Sequence, residues 1–92
     1  MRRVLPGDIS AAARVLVALR PSLRPLRLAR LIAMAEAADQ YRQETGRPHP
    51  HGGIGSLMAP TSGMPKAPET DFDDDEYCRC WALVLAALVR HR

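Results

Sequence analysis

The middle of the chain is interrupted too often by glycine and proline to form one regular helix or strand. Residues 46–70 hold five of the six glycines and five of the eight prolines: Gly46, Gly52, Gly53, Gly55, Gly63, Pro48, Pro50, Pro60, Pro65 and Pro68. Proline removes a backbone donor, and glycine loses the most conformational entropy on folding. The sequence therefore predicts a long loop over 46–70, with at most one helical turn, capped by Ser56.

Two helices are predicted before this loop. Asp8 is a good N-cap, and apolar residues at spacings of three and four predict a helix over 8–20 that Pro21 ends. The same periodicity predicts a second helix over 23–45, with Gly46 as the residue that follows its end. Because the connection between the two helices is short, we expect an antiparallel hairpin.

A third helix is predicted over 73–90. The acidic run 71–76 lies at its start, where carboxylates suit the positive end of the helix dipole. Residues 81–89 are apolar on every side, and a helix of that kind is buried on every side. A two-helix hairpin can cover only one side, so the remainder is expected to contact another subunit or a partner. The residues expected at that contact are Trp81, Val84, Leu85 and Leu88.

The predicted fold is all-α, a single domain over 1–92 with an N-terminal helical hairpin, a long Gly/Pro-rich loop and a C-terminal apolar helix. The only aromatic residues are one Phe, one Trp and two Tyr, so aliphatic side chains must form the core. A chain of 92 residues buries a limited fraction of its surface, and self-association would stabilise it. We therefore expect a homo-oligomer.

The sequence contains no pattern typical of a membrane span or a secretory signal. Its longest apolar stretch, 81–89, is far shorter than the roughly 20 residues that cross a bilayer. The basic first residues are not followed by an uninterrupted apolar core. Cys78 and Cys80 would point to opposite sides of a helix, which disfavours a mutual disulfide. We expect a cytoplasmic protein with free thiols and no membrane contact.

Positive charge is concentrated in the first 30 residues, although the net charge of the chain is only +3. The arginines of this part are Arg2, Arg3, Arg14, Arg20, Arg24, Arg27 and Arg30. Such clusters can bind phosphate backbones through counterion release, so one interpretation of this part of the chain is contact with a nucleic acid. No aromatic residues interleave with them to stack on bases, and helix two has few side chains that read base edges. The alternative is a solvated face that keeps a small protein soluble.

Three other patterns are better explained without a ligand. The glycines in 52–56 lack the Gly-Lys-Ser/Thr of a phosphate-binding loop, and the acidic run lacks the glycine of a calcium loop. A zinc site has the wrong cysteine spacing, since structural zinc takes cysteines two to four residues apart. Its four candidate ligands are His49, His51, Cys78 and Cys80. The sequence thus predicts no metal, no cofactor and no catalytic residue.

Seven short stretches, spread over nearly the whole chain, carry a resemblance to known sequences. They are Leu5-Pro6-Gly7-Asp8, Ser10-Ala11-Ala12-Ala13, Ala37-Ala38-Asp39, Thr45-Gly46-Arg47, His49-Pro50, Gly55-Ser56-Leu57-Met58 and Asp74-Asp75-Glu76-Tyr77-Cys78. They resemble an uncharacterised family of short helical proteins from alphaproteobacteria. The chain is also similar to the small proteins beside the packaging ATPase of phage-like gene transfer agents. That resemblance implies a small terminase, a ring-forming, non-catalytic subunit that presents DNA to the large terminase.

The expected function is therefore a non-enzymatic assembly subunit of a DNA-packaging machine. Its expected partners are further copies of itself, the large terminase or another protein, and the DNA backbone. Phage small terminases usually carry a separate DNA-binding domain before their oligomerisation helices, and 92 residues leave no space for one. The resemblance therefore implies weak, non-specific contact with the DNA backbone rather than sequence-specific reading. The alternative function is a monomeric or dimeric adaptor or regulator that binds one protein partner through its third helix. A small zinc-binding module is a third possibility.

Overall fold

Helices account for most of the computed structural model, which describes residues 1–91. The three α-helices are α1 (Pro6–Val17), α2 (Arg24–Thr45) and α3 (Asp75–His91). Single 3-10 turns lie at Pro21–Leu23 and Ala59–Thr61. Residues 1–91 contain no β-strand, and one isolated antiparallel bridge joins His49 to Gly53. The predicted all-α class is confirmed.

The start of α1 differs from the prediction that Asp8 is its N-cap. Leu5 occupies the N-cap and Pro6 the first helical position, where a missing N–H is harmless. The Asp8 carboxylate accepts hydrogen bonds of 2.9 Å from the backbone N–H of Leu5 and from that of Met58. Asp8 therefore still closes the start of α1, and it also attaches the chain near residue 58 to this helix.

Helix α2 begins one residue later than predicted and ends where expected. Gly46 follows its last residue with φ 71°, and its N–H donates to the Arg42 carbonyl over 2.8 Å. Glycine adopts this left-handed conformation without steric cost. The preceding helix, α1, ends at Val17 rather than at residue 20, and a 3-10 turn leads into α2.

The hydrophobic core lies between the three helices and is built almost entirely of aliphatic side chains. Its buried members are Ile9, Ala12, Ala13, Leu16, Leu28, Leu31, Ile32, Leu57, Tyr77, Cys80, Val84 and Leu88. Helix α1 packs more extensively against α3 than against α2. The antiparallel hairpin of α1 and α2 therefore stays a prediction.

Residues 46–74, which we call the central segment, pack against the helices. Leu57 is fully buried in the core, and Thr61 is buried beside it. Gly55 has φ +95°, and a Cβ there would lie 2.6 Å from the Cβ of Asp39, so only glycine allows this approach to α2. Near the other end, Arg14 and Ala67 exchange two hydrogen bonds of 2.8 and 3.0 Å. The segment is thus held to both α1 and α2.

Candidate functional site

Helix α3 carries apolar residues on two of its sides. The inner stripe consists of Tyr77, Cys80, Val84 and Leu88, all buried in the core. The outer stripe consists of Cys78, Ala82, Leu85 and Val89, all exposed to solvent. Leu85 is 49% exposed and Val89 is 69% exposed. Contiguous exposed apolar patches larger than a few hundred Å² often mark interaction sites, so the outer stripe, together with any apolar surface beside it, is a candidate interface.

The structure separates the four α3 residues that the sequence predicts at an interface. Val84 and Leu88 face the core, Trp81 is half-buried, and only Leu85 lies on the outer stripe. Sequence reasoning missed Ala82 and Val89, because the apolar run 81–89 hides which side faces inward. The outer stripe could have been identified from its spacing, because its residues follow one another along the sequence at intervals of four, three and four, starting from Cys78.

Aromatic residues flank the outer stripe near the start of α3. Phe72 meets Trp81 edge-on with ring centroids 4.9 Å apart and stacks on Tyr77 at 5.4 Å. The Tyr77 hydroxyl lies 3.0 Å from the Ser10 hydroxyl of α1. Phe72 is 56% exposed, so the cluster extends the apolar surface beyond the helix itself.

A second apolar surface lies between α2 and α3. Both ends of α3 contact α2, through Glu76 and Arg24 at 2.7 Å and through His91 and Glu36, in the middle of α2, at 3.7 Å. Between these contacts runs an open groove of about 450 Å³. Its lining residues are Pro25, Leu28, Ala29, Ile32, Ala33, Leu83, Ala87, Arg90 and His91. The groove can accept apolar side chains of a partner.

Arg24, one of the seven arginines predicted to contact DNA, is buried at 7% exposure. Its Nε donates to the carbonyls of Leu16 and Leu19 over 2.8 and 3.1 Å. Its Nη1 donates to Glu76 Oε2 over 2.7 Å. Arg24 therefore connects the end of α1 with the start of α3, and its guanidinium is engaged within the fold.

Two more of these arginines are half-buried and contact the central segment. Arg14 donates from Nε to the Ala67 carbonyl over 2.8 Å, and Arg27 Nη1 lies 3.8 Å from Met64 Sδ. The arginines that remain exposed are Arg2, Arg3, Arg20 and Arg30.

The structure does not bring the exposed arginines together in one patch. Arg2 and Arg3 line a cleft with Arg42, near the C-terminal half of α2, whereas Arg20 precedes its first turn. At 1.5 Å per residue, the 15 residues from Arg24 to Asp39 separate these regions by about 22 Å. The basic surface is thus divided into two parts. Arg42, which sequence reasoning missed, lies beside the first part, but its guanidinium donates to Asp39 and to the Ile54 carbonyl.

Asp39 is the centre of a charged cluster beside the chain start. Its carboxylate accepts hydrogen bonds from Arg42 at 2.9 Å and Gln43 at 3.1 Å, and it pairs with the Met1 ammonium at 3.1 Å. The hydrogen bonds from Arg42 and from the ammonium hold the pKa of Asp39 below its usual value. Burial opposes the charge on the Met1 ammonium, but its hydrogen bonds to Glu36 and Asp39 outweigh burial and raise its pKa. The cluster holds the first residues against α2.

Asp39 should contribute to stability at neutral pH and lose that contribution in acid. Because its pKa is lowered in the folded state, the contribution is complete above the unfolded-state pKa and disappears as pH falls through the folded-state pKa. We expect Asp39→Asn to lower the urea midpoint at pH 7, and this difference from the wild type should shrink below about pH 4. A difference that stays constant from pH 7 to pH 3 would show that the carboxylate charge contributes nothing.

The candidate zinc ligands serve other contacts. His49 Nδ1 accepts hydrogen bonds of 3.0 Å from the backbone N–H groups of His51 and Gly52, and its ring meets Tyr41 edge-on. Cys78 is exposed and Cys80 is buried, and burial raises the pKa of the Cys80 thiol. Within residues 1–91, no group of three or more His, Cys, Asp or Glu side chains is arranged to hold a metal ion.

The three helices place this protein in the class of small all-α domains. Over residues 1–91, none of the helices combines the length and apolar character that crossing a bilayer requires. Residues 2–88 match a domain of unknown function, DUF7742. Because the match covers nearly the whole chain, the protein belongs to this family. No curated protein and no solved structure shows a significant match to it.

Proposed function

We propose that this protein is a non-enzymatic oligomeric assembly subunit, similar in role to a small terminase, that presents DNA to a packaging ATPase. The observation that carries the proposal is the exposed outer stripe of α3. Fully burying an exposed Leu or Val side chain contributes roughly 1.5–3 kcal/mol, so covering the exposed parts of Leu85 and Val89 would contribute part of that and favour association. Copies of the same chain are the natural cover for a 92-residue protein with a limited core.

The exposed arginines support the DNA part of the proposal. Arg2, Arg3, Arg20 and Arg30 are free of the intramolecular contacts that engage Arg24, and they are the residues we assign to phosphate contact. Because they lie in two separate regions, each copy offers few contacts, and binding is weak and directed to the backbone. Assembly would multiply those contacts along a duplex.

Further features complete the proposal. The helix pair α1–α2 acts as a hairpin that supports α3, whose apolar stretch provides the assembly surface. The central segment, and the surface of α3 that self-assembly leaves exposed, dock the large terminase or an equivalent protein. The protein works in the cytoplasm, needs no cofactor and catalyses no reaction.

DNA binding should depend steeply on salt and on the exposed arginines. Fluorescence anisotropy with a random-sequence duplex measures affinity over a series of salt concentrations. We expect Arg20→Ala/Arg30→Ala to weaken binding equally for all sequences and to reduce the salt slope by about 2, because each phosphate contact contributes about 0.9.

The matched control keeps the charge at these positions. Arg20→Lys/Arg30→Lys should retain most of the affinity, since backbone contact needs charge rather than the geometry of a guanidinium. Absence of binding at low salt, or an affinity independent of salt, would exclude the DNA role.

The alternative function is an adaptor or regulator that binds one protein partner through α3. The groove between α2 and α3 favours it, because an open apolar groove suits an inserted side chain or helix edge. A protein that stays monomeric at all concentrations and does not bind DNA would support the adaptor over the assembly subunit.

A further inference from the structure

We infer that the outer stripe of α3 binds the same stripe of a second copy, and that the two α3 helices run antiparallel. The inference rests on the self-association in the proposed function and names the surface and the geometry of its first step. The stripe consists of Cys78, Ala82, Leu85 and Val89.

The spacing of the outer stripe indicates that its partner is another helix. Its residues follow each other in steps of four, three and four, which is the repeat of the seam between two coiled helices. The inner stripe runs in steps of three, four and four and is already covered by the core. The inner side of α3 is therefore buried in the core of its own chain. Its outer side has the residue spacing of a coiled-coil seam and is exposed to solvent in the single chain.

Side-chain size favours the antiparallel arrangement. With a two-fold axis between Ala82 and Leu85, Ala82 faces Leu85 of the second copy, and Cys78 faces its Val89. Each layer then pairs a small side chain with a large one, which fills the space between the helices. A parallel pair would place Ala82 against Ala82 and leave that layer underfilled.

Charge favours the same arrangement. The first turn of α3 is acidic, with Asp75 and Glu76, and its last turn is basic, with Arg90 and His91. Glu76 and His91 pair with Arg24 and Glu36 of α2, and Arg90 lines the groove beside α2, so Asp75 is the charge nearest the outer stripe. An antiparallel pair aligns the helix dipoles favourably. Asp75 lies one heptad before Ala82, so a parallel pair would place two Asp75 carboxylates against each other at the seam.

The second copy must cover more than these four side chains, because a standard interface buries about 800 Å² on each partner. Phe72 borders the stripe through Trp81 and is more than half exposed. Because the stripe and Phe72 together form a small interface, we expect the dimer to dissociate reversibly. A single charged residue in the seam should be enough to disrupt it.

Disulfide trapping tests the geometry directly. Val89→Cys places a thiol opposite Cys78 of the second copy, at a position that is 69% exposed and tolerates the change. The variant is equilibrated with reduced and oxidised glutathione, so that each disulfide formed from two thiols reduces one oxidised glutathione to two thiols. We expect a covalent dimer in which tryptic peptide 67–79, with Cys78, is linked to peptide 80–90 through the introduced cysteine.

The wild-type protein is the control for orientation. In the antiparallel pair its two Cys78 residues lie about 16 Å apart, since 11 helical residues separate positions 78 and 89, so no Cys78–Cys78 disulfide forms. Links between two 67–79 peptides, or between two 80–90 peptides through the introduced cysteine rather than Cys80, would establish a parallel pair and overturn the inference. Absence of a covalent dimer of the Val89→Cys variant would also overturn it.

A charge in the seam separates this inference from the proposed function. Leu85→Glu should raise the dimer dissociation constant at least about 100-fold, whereas Leu26→Glu, at an exposed leucine of α2, should leave it unchanged. If the wild type is oligomeric in solution but neither the disulfide nor Leu85→Glu behaves as expected, the antiparallel pair is wrong and the assembly role stands. If the wild type is a monomer, both are wrong.

Discussion

Arg24→Ala is expected to destabilise the folded chain by about 3 kcal/mol, because its buried guanidinium shares one Nε–H between the carbonyls of Leu16 and Leu19 and donates from Nη1 to Glu76. Each hydrogen bond of a charged donor contributes about 1.5–3 kcal/mol, but the three contributions do not add fully. Glu76 is half exposed and regains water when Arg24 is removed, which limits the loss. Urea unfolding monitored by circular dichroism at a fixed protein concentration measures the effect.

Arg20→Ala is the matched control for this experiment. It removes the same side chain four residues earlier, at an exposed position, so its effect should stay within about 0.5 kcal/mol. Equal effects of the two substitutions would contradict the structural role of Arg24 and return it to the DNA-contact set.

Leu57→Ala should cost about 2–5 kcal/mol, the range for truncating a fully buried leucine. Leu57 belongs to the central segment and yet lies in the core with the inward faces of the helices. The cost combines lost apolar burial with a cavity that the surrounding helices fill only in part. Thermal and urea unfolding of the variant measure it.

Met58→Ala is the comparison, because Met58 follows Leu57 directly and is 45% exposed. We expect a cost below about 1 kcal/mol for this neighbour. If both substitutions cost equally little, the central segment does not form part of the core.

Periodicity identified the helices, because their buried faces follow the 3.6-residue repeat. Gly46 was also predictable as the end of α2, since the left-handed position there favours glycine. The role of Asp8 was not, because an aspartate at the N-cap and one three residues further on give the same local pattern. The packing of the central segment could not be predicted either, since glycine and proline exclude regular structure without indicating where a loop lies.

The candidate surface was predictable only in part. The apolar run 81–89 indicated that α3 has more apolar surface than its own chain covers. Leu85 and Val89 are exposed in the structure, which agrees with that interpretation. Which residues face inward depends on the rotation of α3 about its axis, which packing against α1 determines. The offsets of the arginines suggested one shared face, but Arg24 turns inward because the end of α1 and Glu76 both bind it.

The mass of the protein in solution, measured by light scattering on a size-exclusion column at two salt concentrations, tests self-association most directly. We predict an oligomer with an even number of copies at both salt concentrations, because the seam that joins each pair is apolar. A species of six or more copies would suit a packaging assembly. A single monomeric species at both salt concentrations would contradict the account.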